Sequence, residues 1–302
     1  MGNAKYAEVR GSLQRGELEN ARIAAEAEIT RLADDGDETE LWKFRLARAE
    51  ILTIRGHTEV ALEYLDSFAL PCASDPESVA SIKMYRGYCS GILGHNEVSH
   101  SLLFEAEHLA REAGLLKLLG EVLLCQAFIL FREKSYRSSS DLYRSALEIA
   151  QQIRDWYLHG HGLWGIGKNL MIQCQYLDAM PWLTQSLRIF EAQGARLSIS
   201  TVWSELAVCF LGLGDDEKAM ELLRMSEHVD YKAGLMHSYQ IDLANIGNVY
   251  LHRRDYFTAL SYYQRAVSLA REIKDPVSVK KWTYNINLAY ARMKATIDHG
   301  SP

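Results

Sequence analysis

No run in this sequence approaches 18 uninterrupted apolar residues, which excludes a helical membrane span. Basic charge is not in excess either. The net charge is −6 and the pI about 6.0, without the basic stripe that holds nucleic acid. Five cysteines (Cys72, Cys89, Cys125, Cys174, Cys209) stand singly, odd in number and without a CxxC pair. That argues against a disulfide framework and for buried thiols in a reducing compartment. The opening MGNAKYAEVRGS lacks an apolar signal core, so secretion is not expected. Its Met-Gly start has Tyr6 where myristoylation prefers Ser or Thr. A cytoplasmic protein with neither membrane nor nucleic-acid partners is the expectation.

What is present is helical periodicity. The composition, 48% hydrophobic and 24% charged, is that of an ordinary soluble chain. Within Leu243 to Ala270, small residues (Gly247, Ala259, Ala266) alternate with large ones (Leu243, Tyr250, Tyr263) at the spacing of two closely packed antiparallel helices. Glycine inside a helix costs about 1 kcal/mol relative to alanine, so Gly247 asks for a packing reason. Stepping back from Ala259 gives Ala219, Ala179, Ser139, Ser99, Ala61 and Ala21, in steps of 40 residues with one of 38. Gly167, Ala207 and Gly247 repeat in the same phase, as do Ala106, Ala146, Ser186, Ser226 and Ala266.

This spacing resembles the tetratricopeptide repeat (TPR) family. In that family's pattern a small residue holds the eighth place, an aromatic the eleventh, Ala the twentieth, an aromatic the twenty-fourth and Ala the twenty-seventh. Gly247, Tyr250, Ala259, Tyr263 and Ala266 fill all five. The departure is the period, since the usual repeat is about 34 residues. Long repeats of this kind resemble arrays of bacterial signalling proteins, such as those joined to caspase-like CHAT proteases or signal-transduction ATPases. The resemblance implies an all-α right-handed α-solenoid of about seven helical hairpins plus a C-terminal capping helix. One superhelical domain is expected over 1–295, with 296–302 a disordered tail. Length alone suggests two domains. A solenoid overrides that prior, because each unit buries its apolar face only against its neighbours.

The hairpins are expected at about 5–34, 40–68, 77–113, 116–154, 156–194, 198–234 and 236–274, with the last helix at about 277–294. Asp75-Pro76-Glu77 reads as a cap followed by Pro in the first helical position. The link ALPCASDPES, with Pro71 and Pro76, cannot continue a helix.

Catalytic signals are few. GHGLWGIGKN at 160–169 contains a GxGxxG and a GxxxxGK, but a helix precedes it where a phosphate loop needs a strand. Asn169 also stands where Ser or Thr must reach magnesium, and Gly167 is already explained as the small eighth residue of its repeat. His159 and His161 do not share a helix face, and no ligand cluster accompanies them. Acidic Asp215-Asp216-Glu217 falls at a helix start, where carboxylates cap free N–H groups. No catalytic residue, metal or cofactor is expected.

The resemblance further implies that the first helix of each hairpin lines a concave groove. Carried over place by place, Tyr85, Tyr88, Phe128, His161, Trp164, Lys168, Glu205, Asn245, Asn248 and Tyr284 point inward, with Glu50, Glu121 and Ser204 at equivalent places. A protein or peptide partner in that groove is the expected function, that of a non-enzymatic scaffold. A sensor or autoinhibitory array of a larger bacterial effector, acting in cis or in trans, is the second reading. The third is a small-ligand receptor or enzyme using a central pocket around His161, Trp164 and Lys168.

Overall fold

A computed structural model describes residues 2–35, 38–68 and 75–298. They form fifteen helices, and no strand occurs among the described residues. The helices pair as α1 (Gly2–Gln14) with α2 (Leu18–Asp35), α3 (Glu38–Ile54) with α4 (Thr58–Asp66), α5 (Pro76–Ile92) with α6 (Asn96–Glu112), and α7 (Leu116–Arg132) with α8 (Tyr136–Ile153). Then follow α9 (Trp156–Ile172) with α10 (Tyr176–Gln193), α11 (Arg196–Gly212) with α12 (Asp216–Ala233), and α13 (Met236–His252) with α14 (Tyr256–Glu272). A last helix, α15 (Pro276–Asp298), closes the series.

Local chemistry sets these boundaries. Aspartates at the helix starts accept from the backbone three residues on. Asp75 takes Ser78 N at 3.2 Å, Asp155 takes Leu158 N at 2.9 Å, Asp215 takes Lys218 N at 3.0 Å and Asp255 takes Thr258 N at 3.1 Å. Each satisfies a donor that the first turn leaves free. Pro76 sits just behind Asp75 at the first helical position, as the sequence predicts. The acidic 34–38 stretch and the link after Phe68 fall partly outside the described residues, Pro71 and Cys72 among them.

The seven marker residues explain the stacking. Ala21, Ala61, Ser99, Ser139, Ala179, Ala219 and Ala259 are each 0% exposed, at the closest approach of paired helices. Gly247 shows why small size is needed, since a Cβ added there would lie 2.7 Å from the Tyr263 ring. The four glycines between 160 and 167 lie inside α9, not in a loop. Helix α15 docks through Trp282, 1% exposed, whose Nε1 donates to Gln240 Oε1 at 3.3 Å. It also runs further than the sequence suggests. Thr296, expected in a disordered tail, is helical: its hydroxyl donates to Arg292 O at 2.9 Å and lies 3.3 Å from the Tyr256 hydroxyl. Residues 299–302 lie outside the described residues.

Successive first helices (α1, α3, α5, α7, α9, α11, α13) touch one another, while each second helix packs on its hairpin partner and on the next first helix. The stack therefore curves with its first helices inside. It curves far enough to meet itself. Leu235, between α12 and α13, shares the core of Val9, Leu13 and Leu18, and Leu197 of α11 packs on it. A Cβ on Gly16 would lie 2.9 Å from Leu197 Cδ2.

Candidate functional site

The inner face carries three patches in chain order. At the first, Arg10 of α1 is ion-paired with Glu50 of α3, one period away. The Tyr85 hydroxyl of α5 donates to the same carboxylate at 3.0 Å. Beside them Glu121 of α7 is half-buried, and burial pushes its pKa up to about 7, with Arg10 and Lys117 opposing and Glu50 and Asp155 adding. The Glu121 charge also adds slightly to the raised pKa values of the Tyr6, Tyr85 and Tyr157 phenols. Burial raises all three phenol pKa values, which keeps them neutral hydroxyls.

The second patch is aromatic. Tyr88 and Phe128 lie with ring centroids 5.8 Å apart, and Phe128 stacks on Phe131 at 6.3 Å. His161 packs against Tyr157 at 4.3 Å, Phe190 at 4.9 Å and Trp164 at 6.1 Å. Burial pulls the His161 pKa down to about 4, so the imidazole is neutral at pH 7. The Trp164 Nε1–H is buried without an acceptor among the described residues. Lys168 lies 4.8 Å from the Trp164 ring and 5.2 Å from that of Phe131, with its ammonium 2.6 Å from Glu205. His161, Trp164 and Lys168 thus pack into one wall.

The third patch is a chain of hydrogen bonds. Asn285 Nδ2 and the Tyr263 hydroxyl donate to Asn248 Oδ1 at 3.3 and 2.7 Å. Asn248 Nδ2 in turn donates to Asn245 Oδ1 at 3.3 Å, and Asn245 Nδ2 to Ser204 Oγ at 3.4 Å. Ser204 donates to the buried Asp242 at 2.7 Å. Below the surface Asp242 also accepts from Ser226 at 2.7 Å, and Asp230 accepts from Ser200. Burial raises the pKa of Asp230 to about 6 and that of Asp242 well above the carboxylate range, where the facing Asp230 charge adds to the effect.

The structure therefore joins Tyr88 to Phe128, His161 to Trp164, Lys168 to Glu205 and Asn245 to Asn248. Tyr85 belongs to the acidic patch. Tyr284 does not join: it is 67% exposed, and its neighbour Asn285 makes the inward contact. Lys168, Asn245 and Asn248 are spent on protein partners, so they serve as wall rather than as free donors. Arg10 and Tyr157 went unmarked in the sequence. The signal for Arg10 was available, since it stands 40 residues before Glu50 and so at the same inward place. Among the described residues no group of three or more His, Cys, Asp or Glu side chains is placed to hold a metal ion.

Residues 243–277, the body of the seventh hairpin with the start of α15, match the family model described as Tetratricopeptide repeat. These residues are a tetratricopeptide repeat. The match covers one hairpin, and the other six share its helical architecture. Among solved structures, a Rap protein complexed with Competence and Sporulation Factor is similar at 16% identity, with a TM-score of 0.65 over 93% of this chain and 79% of that one. A signal transduction ATPase with numerous domains and a tetratricopeptide repeat sensor, from Pyrococcus horikoshii, is similar at 15% identity and a TM-score of 0.60. That comparison covers 95% of this chain, which spans about half (48%) of the ATPase chain. Aspartyl phosphate phosphatase F from Bacillus subtilis is similar at 13% identity and a TM-score of 0.53, over 96% of this chain and 94% of that one. These likenesses concern the fold. No curated protein matches the sequence.

Proposed function

We propose that the chain is a non-enzymatic interaction scaffold that seats an extended or helical segment of a partner protein along its inner face. The observation carrying this reading is the aromatic patch, with Tyr88 against Phe128 and His161 against Trp164. Aromatic rings supply large contact area with little side-chain entropy to lose, and a face held by packed helices is formed before binding. The Rap protein of similar fold was solved with Competence and Sporulation Factor, which is in keeping with a ligand-binding array.

The test is to pan a random peptide library on the protein and measure the selected peptides by anisotropy. Trp164→Ala and Tyr88→Ala are expected to weaken binding at least tenfold each while the far-ultraviolet helical signal stays unchanged. Equal affinity for wild type and both variants would remove the inner face as the site. A second reading, the sensor array of a larger effector, draws on the likeness to the Pyrococcus ATPase. The full reading frame around this sequence decides it.

A further inference from the structure

A crevice beside the second hairpin holds donors that no side chain answers. Arg45 and Arg48 stand three residues apart on α3, so they leave the same face of the helix. The Arg45 guanidinium carbon lies 3.8 Å from the Phe68 ring centre and 5.1 Å from that of Trp42. That of Arg48 lies 4.6 Å from the Tyr64 ring. The rings pack on one another, Trp42 on Phe68 at 5.8 Å and Tyr64 on Phe68 at 5.1 Å, so both guanidinium groups rest on one aromatic bed. Arg48 also meets Glu26 of α2 at 3.7 Å, which places the pair between α2 and α4, on the outer side of the stack.

Charge in this crevice does not balance. Glu19 pairs with Arg22 and Arg55, and Glu26 with Arg22 and Arg48. Arg45 has no ion pair or hydrogen bond among the described residues. Four guanidinium groups against two carboxylates leave an excess of +2, in a chain whose net charge is −6. Asp66 of α4 does not reduce it, because Arg86 takes that carboxylate at 2.9 Å. A second observation is independent of the count. Arg45 Nε is buried without an acceptor, and so is the indole N–H of Trp42, a side chain 0% exposed beneath Arg45. Buried polar atoms are almost always paired, and an orphan marks a place where an ion or a water belongs. Both orphans are donors. Aromatic faces answer part of a guanidinium charge but leave its N–H edge without an acceptor.

We propose that Arg45 and Arg48 form a binding site for a phosphate-type oxyanion, with the aromatic bed holding the two guanidinium forks in place. A dianion matches the excess charge, and its several oxygens accept from both forks at once. The site lies away from the inner face and does not depend on the groove reading. The experiment titrates inorganic phosphate into the full chain at pH 8 and constant ionic strength, followed by the phosphorus NMR line width. Wild type is expected to bind, with sulfate displacing the phosphate and acetate at the same concentration leaving it in place. R45K/R48K keeps both charges but loses the paired N–H edges, and is expected to bind at least tenfold more weakly with an unchanged helical signal. R137A, at an exposed place on α8, keeps the wild-type affinity. A short neutral peptide carrying one phosphoserine separates the sources. Tighter binding than inorganic phosphate assigns a phosphorylated polypeptide, weaker binding a free phosphate compound, and either keeps the site. No binding by wild type, displacement by acetate as readily as by sulfate, or equal affinity in wild type and R45K/R48K overturns it.

Discussion

Asp230 and Asp242 are a costly pair of side chains, since two carboxyl groups are buried among Ser200, Ser204 and Ser226 with no cation paired to them among the described residues. Burial raises both pKa values, so the folded chain holds protons that the unfolded chain releases. The sign follows from that. Their contribution is fully present below the ordinary aspartate range near pH 4 and is lost as pH rises through about 6, the value for Asp230. Stability from this pair is therefore higher at pH 5 than at pH 8. Asp242→Asn, which keeps the shape and removes one titration, is expected to stabilise the chain by about 1–2 kcal/mol at pH 8 and much less at pH 5. Urea unfolding at the two pH values measures it, and an equal change at both would contradict the shared burial. Single residues were also where the sequence said least. The repeat pattern placed Tyr88, Phe128 and Trp164 inward, but it carries no record of which inward side chains neutralise one another. Lys168 reads as a free donor until Glu205 is seen beside it, and Tyr284 stays exposed on α15 while Asn285 joins the hydrogen-bonded chain.

Helices were the most legible part of the chain. From Pro76 onward the first helices begin at 76, 116, 156, 196, 236 and 276, so a period found in side-chain size is a period of backbone. The turns obey it as well. Residues with positive φ fall at 94, 134, 174, 214 and 254 within hairpins, and at 114, 154, 194, 234 and 274 between them. Half of these ten are not glycine, namely Lys134, Arg154, Cys174, Arg254 and Lys274, which is why glycine alone did not reveal the series. A left-handed conformation costs a residue with a Cβ about 1–2 kcal/mol, part of which glycine loses again through chain entropy. Arg154, at φ 54°, is exposed and has no salt bridge among the described residues. Arg154→Gly is expected to stabilise the array by about 0.5–1 kcal/mol, seen as a higher urea midpoint with an unchanged slope. A lower midpoint would mean that the turn depends on the arginine side chain.

At the scale of the molecule, the first hairpin leans on the beginnings of the sixth and seventh. The repeat pattern predicts a curved stack but not its pitch, because curvature accumulates from small rotations between hairpins that no single position encodes. The closure has a direct test. A Cβ on Gly16 lies 3.9 Å from Arg196 Cβ, inside the range that a disulfide spans. The double variant G16C/R196C is expected to oxidise readily in dilute solution, giving a species of faster electrophoretic mobility. Oxidation should raise the thermal midpoint by several degrees, after the strain of a cysteine at φ +78° is subtracted. Thiols that stay reduced under mild oxidant would show that the two ends stand apart.

That contact also makes the array count itself. Inserting a further forty-residue unit between the third and sixth hairpins would keep every local interface intact, yet it would rotate Leu13 and Leu18 away from Leu197 and Leu235 and leave an oily seam on each side. Most solenoids lengthen freely because their ends never meet. Here the number of units is tied to the circumference, so growth by duplication is penalised at a place far from where the duplication occurs.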